Sequence, residues 1–467
     1  MPRYAADPIT DKSLRHSVRE GVAYSVMSGG AETYFSAFAL FLKATTTQIG
    51  WLASLPPLLG SFAQLLSAWV GHLTGRRRPI ILFGASLQAA VWLPMLVLPF
   101  LFPQHAVILF IACVMLYYAF TNLAAPQWNS LMGDLVPEKR RGRYFARRTG
   151  LASVTAFISL IVGGLILYGF DEIGWTASGF VVVFIIAALA RIVSVYHLSR
   201  MVDPPGHVAA LQVPTDMHWW QRLFGSPFAR FSLFFALLQT AVSIAAPFFS
   251  VYMLRDLKYS YLLFMINTAA SVLMQVLTLN AWGRVGDHFG NRKILVMCGS
   301  LIPVFPMLWT LSPNYFYLVC LQAMGGLVWA GFSLSAGNFF FDLVPAGKRA
   351  TYLALHNVLA SIGIFIGASL GGYLGAVLPK EFDLFGHHVT WGSALFGVFL
   401  LSTACRLVIV LLFLPRVKEV REVRPVSVGG LLFRVARYNA LAGLFFELIG
   451  RRRPRPAAEP ESFRDQL

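Results

Sequence analysis

The chain has 467 residues, of which 57% are hydrophobic and 13% are charged. Soluble domains carry about twice that share of charged residues, so the composition excludes an ordinary soluble enzyme or binding module. The formal net charge of +17 is compatible with nucleic-acid binding, but Lys and Arg lie between long apolar runs. The composition therefore predicts a protein that crosses a membrane many times and does not bind nucleic acid.

Twelve apolar runs are long enough to cross a hydrocarbon layer of roughly 30 Å. We therefore expect an all-α polytopic membrane protein with two six-helix bundles. The predicted domains are an N-terminal bundle (1–200), a cytoplasmic linker (201–226), a C-terminal bundle (227–416) and a basic, amphipathic cytoplasmic tail (417–467). In chain order the predicted spans are 20–42, 48–73, 79–102, 106–134, 145–169, 177–199, 227–254, 260–283, 293–312, 314–341, 351–378 and 392–414.

Lys and Arg are concentrated in alternate connections between these spans, including 76–78 and 139–148. Because basic loops favour the cytoplasmic side, we expect both termini in the cytoplasm. Compact loops and the lack of any Asn-x-Ser/Thr acceptor favour the bacterial inner membrane. The segment 426–450 is apolar but interrupted by charges, so it is compatible with a thirteenth span or with a helix lying in the membrane surface; we favour the surface helix.

The two halves of the chain carry an internal repeat. Residues 134–164 recur at 342–372 with 14 of 31 positions identical, and both copies begin with Asp-Leu-Val-Pro. A second relation, with a separation of 215 residues, matches Gly75 to Gly290 and Arg191 to Arg406. Self-similarity over such a period indicates a duplicated unit. An even number of spans in each half gives both halves the same orientation, as a parallel repeat requires.

One repeated loop carries a recognisable motif. Residues 283–293 read G-x-x-x-D-x-x-G-x-R-K, and 68–78 hold a degraded copy in which His72 stands in place of the Asp. This motif resembles the signature of major facilitator superfamily transporters, and the Asp-Leu-Val-Pro-x-x-x-Arg stretch is similar to another cytoplasmic loop of that family. The resemblance covers about residues 20–415. It implies two pseudo-symmetric six-helix bundles and solute transport by alternating access.

The resemblance also implies a cytoplasmic gate. In the family, charge-assisted hydrogen bonds between carboxylates and guanidinium groups tie the cytoplasmic helix ends together when the solute site faces outward. We expect Asp134 to pair with Arg141 and Asp342 with Arg349. The alternative interpretation is that these charges only set the topology. The gate residues predicted in this way are Asp134, Arg141, Asp287, Gly290, Arg292, Asp342 and Arg349.

Glu32 is the outstanding ionisable residue inside a predicted span. Such residues are costly in a membrane and are therefore candidates for function. Glu32 lies roughly 20 Å from the cytoplasmic end of the first span at 1.5 Å per residue, on a polar face with Ser25 and Ser28. A carboxyl group removed from water can carry a proton. We predict that Glu32 couples transport to protons or contacts the solute; a structural hydrogen bond is the alternative.

Uncharged polar and aromatic residues recur at helical spacing near the middle of several spans. They predict a cavity that suits a neutral or amphiphilic organic solute, although interhelical packing accounts equally well for any one of them. Arg191 and Arg406 are expected to extend toward the cytoplasmic surface. The predicted cavity residues are Ser28, Tyr117, Asn122, Gln239, Ser243, Asn267, Gln275 and Trp329.

These features favour a secondary active transporter of a small organic solute. No phosphate-binding loop of the form G-x-x-x-x-G-K-S/T occurs, which argues against a primary pump, and no enzyme activity or cofactor is predicted. The partners we expect are the solute, protons and lipid, with the protein a monomer. An ion-independent uniporter, and a transport-fold protein that acts as a receptor or handles lipid, remain as alternatives.

Many drug/proton antiporters of the family carry an arginine in span four and a Gly-Pro in span five; this chain has neither, which weakens the assignment as a drug/proton antiporter.

Overall fold

The structure, a computed structural model, describes residues 4–5, 7–137, 140–204, 226–344, 349–384 and 387–416. Most of the predicted linker, the whole of the predicted tail and the 426–450 segment lie outside these ranges. Within them the chain is a bundle of long helices, so the prediction of an all-α polytopic membrane protein is confirmed.

The first half contains one interrupted helix followed by five continuous ones. Asp7 caps the first helix by accepting a 2.8 Å hydrogen bond from the Thr10 amide, and Pro8 occupies its first position, where a missing N–H costs nothing. The helices are α1 (Pro8–Gly30), a 3₁₀ turn (Glu32–Tyr34), α2 (Phe35–Phe41), α3 (Thr46–Thr74), α4 (Arg78–Leu101), α5 (Ala106–Leu135), α6 (Arg141–Glu172) and α7 (Thr176–Ser199).

The second half repeats this order with two interruptions. Its helices are α8 (Pro227–Ala245), α9 (Phe248–Val251), a π-helical segment (Tyr252–Asp256), α10 (Tyr261–Phe289), α11 (Asn291–Leu301), α12 (Val304–Leu308), α13 (Tyr315–Leu343), α14 (Arg349–Val377) and α15 (Leu395–Phe413). The loop before α15 forms an antiparallel hairpin of β1 (Glu381–Leu384) and β2 (His387–Thr390), in which Glu381 pairs with Thr390.

Eleven helical segments of the described chain are long and apolar enough to cross a membrane. The first predicted span, 20–42, is not among them. Its helix begins at Pro8 and is divided after Gly30 into pieces of 23 and 7 residues. With that interrupted helix counted, the structure reproduces the twelve predicted spans, and the principal difference is the earlier start and the break of the first one.

The repeat of 215 residues is visible in the backbone. The break after α1 is matched by the break after α8, which places Glu32 and Pro247 at equivalent positions. Lys43 and Lys258, also 215 apart, both have positive φ angles of 64° and 52°. Such values are uncommon outside glycine, so the same unusual turn ends the first helix of each half.

The helix ends group into two ends of the bundle. We call the end that holds the start of α1 and the basic 75–78 and 290–293 loops the basic end, and the other the opposite end. The two halves meet along α3 and α14 and along α6 and α10. Gly372 permits the first contact, because a Cβ atom there would lie 3.2 Å from the Cα of Gly50. Near the opposite end, Arg255 Nη1 donates to Thr46 Oγ1 over 2.8 Å across the two halves.

Candidate functional site

Glu32 lies where the first helix is broken. Ala31 follows α1 with φ −124° and ψ −45°, outside the helical region, and residues 32–34 form a single 3₁₀ turn before α2 begins. Interruptions of this kind free backbone groups from the helical hydrogen-bond ladder and often mark binding sites in transporters. Glu32, the predicted proton-coupling residue, thus lies at the interruption. The sequence analysis did not predict the interruption itself.

Two tyrosine hydroxyls bind the Glu32 carboxylate. Tyr117 donates to Oε2 over 3.1 Å and Tyr118 donates to Oε1 over 2.5 Å, both from α5. Tyr117 is completely buried, and its ring packs edge-on against Phe35 and Trp92 with centroid distances of 5.5 Å. Rings held on several sides have few rotamers to adopt, so the hydroxyl of Tyr117 is fixed in place beside the carboxylate.

The Glu32 carboxylate lacks a cationic partner within the part of the chain that the structure describes. Among the residues that the structure describes, no Lys, Arg or His forms an ion pair with Glu32. The two tyrosine hydroxyls satisfy the oxygens by hydrogen bonding but do not neutralise the charge.

A second carboxylate, Glu20, shows the opposite arrangement. It is 5% exposed and forms a 2.7 Å ion pair with Arg148 of α6. Ser194 donates to the other Glu20 oxygen over 3.2 Å and accepts a 2.7 Å hydrogen bond from Arg191 of α7. Glu20 therefore joins three helices as a fully partnered ion. The sequence analysis missed it because the first span was expected to begin at residue 20, outside the membrane interior.

The two repeated arginines do not extend to the surface, so that prediction is wrong. Arg191 is 3% exposed and lies in the Glu20 cluster, with its guanidinium 5.1 Å from the centre of the Tyr24 ring. Arg406 is 2% exposed and donates to the carbonyls of Ile302 and Val242. Both side chains found polar partners inside the bundle, which removes the need to reach water.

The structure brings only part of the predicted cavity set to Glu32. Tyr117 contacts it directly, and Ser28 lies one helical turn before it on α1. Asn122 donates to the Tyr118 carbonyl over 2.9 Å within α5. Ser243 packs close to Gly367 of α14.

The remaining predicted cavity residues are spread over the second half. Gln275 is exposed, and Trp329 packs edge-on against Phe332 at 5.7 Å. Asn267 is completely buried, and neither atom of its amide has a hydrogen-bond partner among the described residues; the same holds for Gln88 of α4, which the sequence analysis missed. Gln239 is half-buried with its amide oxygen likewise unpartnered. Buried amides without partners are uncommon and mark positions suited to a polar ligand.

Asp134 and Arg141 have different partners from the ones predicted for them. Asp134 pairs with Arg77 over 2.5 Å instead of with Arg141, which donates to the Gly133 carbonyl. Arg77 is 1% exposed and also binds Asp203, at 3.0 Å, so it joins the α3–α4 loop to the ends of α5 and α7. These contacts lie within the first half. They hold that half together at the basic end.

The equivalent region of the second half is described in part. Asn291 Nδ2 lies 3.5 Å from Asp342 Oδ2. Gly290 has φ 86° and ends α10, and Gly75 has φ 61° at the matching position, so both glycines of the motif occupy conformations that other residues rarely adopt. The side chains of Asp287 and Arg349 lie outside the described residues, so their predicted roles stay predictions.

Known proteins resemble the chain in sequence and in fold. It is 30% identical over 90 residues to Organic cation/carnitine transporter 7 of Arabidopsis thaliana, covering 19% of this chain and 18% of that protein. It is 25% identical over 267 residues to Multidrug resistance protein MdtG of Proteus mirabilis, covering 54% and 62%. The matches therefore span less than two thirds of these relatives' own length.

A solved structure shows the same architecture. The crystal structure of a bacterial homologue of the iron transporter ferroportin in an inward-facing state matches with a TM-score of 0.66 at 14% identity, covering 88% of this chain and 99% of that one. At this identity the likeness shows the fold alone. The sequence profile of the Major Facilitator Superfamily matches residues 21–242 and 231–454, which together span most of the chain. The chain belongs to the Major Facilitator Superfamily.

Proposed function

We propose that the protein is a secondary active transporter that moves a small organic solute by alternating access and couples this movement to protons through Glu32. The observation that carries the proposal is the Glu32 carboxylate, placed at the break of α1, bound by two tyrosine hydroxyls and free of any ion pair in the described chain. An ionisable group with these surroundings, inside a membrane transporter, is suited to bind and release a proton.

The hydrogen bonds give the proton a defined place. With Glu32 ionised, both carboxylate oxygens accept from tyrosine. When a proton binds, one oxygen becomes a donor, and the tyrosine hydroxyl beside it can rotate to accept. The charge is thereby removed without moving a helix. A solute that competes for the same oxygens would displace the proton, and this competition links the two fluxes.

The contacts between the halves support alternating access. Close to the opposite end, the π-helical segment of the second half reaches Thr46 of the first half through Arg255. A cavity of about 540 Å³ at that end is lined from both halves, including Lys43, Asp171 and Tyr261. Because residues from both halves line this cavity, a rotation of one half against the other would change its access to the solute site.

The nature of the solute follows from the groups near Glu32. Two tyrosine hydroxyls bind a single carboxyl group that has no ion pair within the described chain, which favours a neutral or amphiphilic molecule over a multiply charged one. The names of the two relatives, one a multidrug resistance protein and one an organic cation/carnitine transporter, agree with this class. We place the basic end in the cytoplasm because of its excess of Lys and Arg. We place the protein in a bacterial inner membrane because its loops are compact and the sequence has no Asn-x-Ser/Thr acceptor.

The proposal is tested with purified protein in liposomes that contain a pH-sensitive dye. A sugar, a dipeptide and the cationic amphiphile tetraphenylphosphonium are added in turn to wild type, Glu32→Gln and Glu20→Gln. We expect a solute-dependent proton flux in wild type that Glu32→Gln abolishes. Glu20→Gln is the matched carboxyl-to-amide control and should retain the ratio of protons to solute, even where less folded protein is recovered. Solute uptake without a proton signal, equal in wild type and Glu32→Gln, would instead identify a uniporter.

A further inference from the structure

Arg406 of α15 is a buried cation without a carboxylate partner. Its side chain is 2% exposed, and it forms no ion pair with any residue that the structure describes. Its guanidinium instead donates to two backbone carbonyls, from Nη1 to Ile302 over 3.2 Å and from Nη2 to Val242 over 3.1 Å. Burying a charge without a partner costs a large free energy, so the two carbonyl contacts must offset part of that cost.

Both carbonyls lie beside helix interruptions: Ile302 directly follows α11, and Val242 lies in the last turn of α8. The helix α11 ends at Leu301, and α8 ends at Ala245. The Ile302 carbonyl would ordinarily accept from the amide of residue 306, but that residue is Pro306, which has no N–H. Arg406 supplies the missing donor. The Val242 carbonyl already accepts from the Ala246 amide over 3.0 Å, so Arg406 is its second donor, one turn before Pro247.

The two interruptions offset part of the charge of Arg406. Aligned peptide dipoles leave partial negative charge on the carbonyls at the C-terminal end of a helix. Residues 246–247 and 302–303 keep helical φ and ψ angles, so each helix continues through its interruption and its dipole is only partly divided there. The guanidinium of Arg406 is therefore partly compensated by two carbonyl groups on two helices, with no carboxylate of the described chain taking part.

The first half shows that this role is specific to the second. The repeat-equivalent residue, Arg191, bonds to Ser194 and lies 3.9 Å from Glu20. The helix that corresponds to α11 and α12 is α4, which runs unbroken from Arg78 to Leu101. Where α4 is continuous, the arginine pairs with a carboxylate; where its counterpart is interrupted, the arginine donates to the carbonyl that Pro306 leaves without a helical donor.

The segments beyond the two breaks pack on each other. Phe249 of α9 stacks near Trp309 at a centroid distance of 4.7 Å, and the π-helical segment that follows α9 carries Arg255, which bonds to the first half. We propose that Arg406 is a positioning residue: a tethered cation that fixes both breaks and thereby holds segments 248–256 and 304–308 where they close the opposite end of the transporter.

Hydrogen–deuterium exchange tests this without any solute, so its outcome is independent of proton coupling. Arg406→Ala, Arg406→Lys and Arg191→Ala are compared with wild type in lipid nanodiscs, each with millimolar guanidinium chloride or sodium chloride. In Arg406→Ala we expect roughly tenfold faster exchange in peptides that cover 243–250 and 302–309, since local opening is no longer opposed. Guanidinium, but not sodium, should reverse the change. Arg406→Lys, which keeps the charge but not the two-armed geometry, should fall between wild type and Ala.

Arg191→Ala is the matched control at the equivalent position. It should accelerate exchange in α1 and α7, and added guanidinium should leave 243–250 and 302–309 unaffected. The proposal is overturned if Arg406→Ala leaves both breaks at the wild-type rate, or raises exchange evenly over the second half with no response to guanidinium. If Arg406→Ala does not fold, the lysine variant decides, because equal exchange in Arg406→Lys and wild type would show that the paired contacts do not hold the breaks.

Discussion

The two halves use the same repeated arginine in different ways, and the difference follows from its neighbours. In the first half Arg191 lies with Arg148 around Glu20, and α4, the counterpart of α11 and α12, is continuous. In the second half Phe235 occupies the position equivalent to Glu20, and Arg406 binds the carbonyls of broken helices. A duplicated residue therefore keeps its place in the fold without keeping its partner.

The two helix breaks differ in the same way. Both halves interrupt their first helix at positions 215 residues apart, but the first break carries the carboxyl group of Glu32 and the second carries Pro247. A carboxyl group can bind a proton, and a proline cannot. We infer that the first half carries the proton chemistry, while the second half supplies a hinge held by Arg406.

The largest expected effect comes from removing the carboxylate of the first-half cluster. Glu20→Gln leaves Arg148 and Arg191 buried beside an amide, and breaking a buried ion pair costs about 3 kcal/mol or more. Thermal unfolding of the purified protein in detergent should show this loss. The double variant Glu20→Gln/Arg148→Gln removes a positive charge as well and should lose less. A double variant that is less stable than the single one would contradict the account of this cluster.

A smaller effect is expected from closing a tight helix contact. A Cβ atom on Gly163 would lie 2.5 Å from the Gly30 carbonyl, directly before the break in α1. Gly163→Ala should therefore force α1 and α6 apart and cost about 1–3 kcal/mol. Gly133→Ala is the control, since nothing lies within 4 Å of its Cβ position. There alanine should be neutral or stabilise the helix by up to about 1 kcal/mol. Equal thermal stability of the two variants would show that the close approach is not required.

Loss of one hydroxyl at the site tests the tyrosine pair. Tyr118→Phe removes the 2.5 Å hydrogen bond to Glu32, and a hydrogen bond to a charged group contributes about 1.5–3 kcal/mol. Tyr118→Phe should remove part of this free energy from the rate-limiting step of transport and slow proton-coupled flux roughly tenfold. Tyr34→Phe is the control, because its hydroxyl donates to the Leu160 carbonyl, at 2.6 Å, and does not contact Glu32. If Tyr34→Phe lowers the flux as much as Tyr118→Phe does, the loss of flux does not depend on the hydrogen bond to Glu32.

The smallest expected effect is at the contact between the halves. Thr46→Val removes the acceptor of Arg255 near the opposite end, a partly exposed interaction worth about 1 kcal/mol. Such a loss lowers the ratio of molecules closed at the opposite end to molecules open there by about fivefold. Spin labels placed on the two halves near the opposite end would report it as a longer distance in part of the molecules. A distance distribution identical to wild type would exclude this contact as part of the closure.

The sequence predicted most of the fold because apolar length and the repeat are strong signals. The spans after the first agree with the helices within a few residues at most ends, and the Lys-Arg pattern grouped the loops correctly into two ends. Helix breaks were not predicted, since the apolar pattern of a span is the same whether its backbone is continuous or interrupted. Pro303 and Pro306 were visible, but proline is tolerated inside membrane helices when other groups satisfy the freed carbonyls.

The site was predicted less completely. Glu32 was found because a lone carboxyl group in an apolar run is conspicuous, and Tyr117 was found by its helical spacing. Tyr118 was not among the predicted cavity residues, and Glu20 was taken as a residue at the end of a span. Both errors concern which residues of different helices meet, and a single sequence does not contain that information. Arg77, the partner of Asp134, was likewise hidden by its distance along the chain.

The most direct test of the central claim is the proton count of the purified protein. In weakly buffered detergent solution, the probe with the greatest flux in the liposome panel is added, and the change in pH is recorded. By linkage, wild type should release about one proton per protein when the solute binds, because the solute displaces it, and Glu32→Gln should release none at the same occupancy. A proton change in Glu32→Gln equal to that of wild type would contradict the assignment of Glu32 as the coupling group.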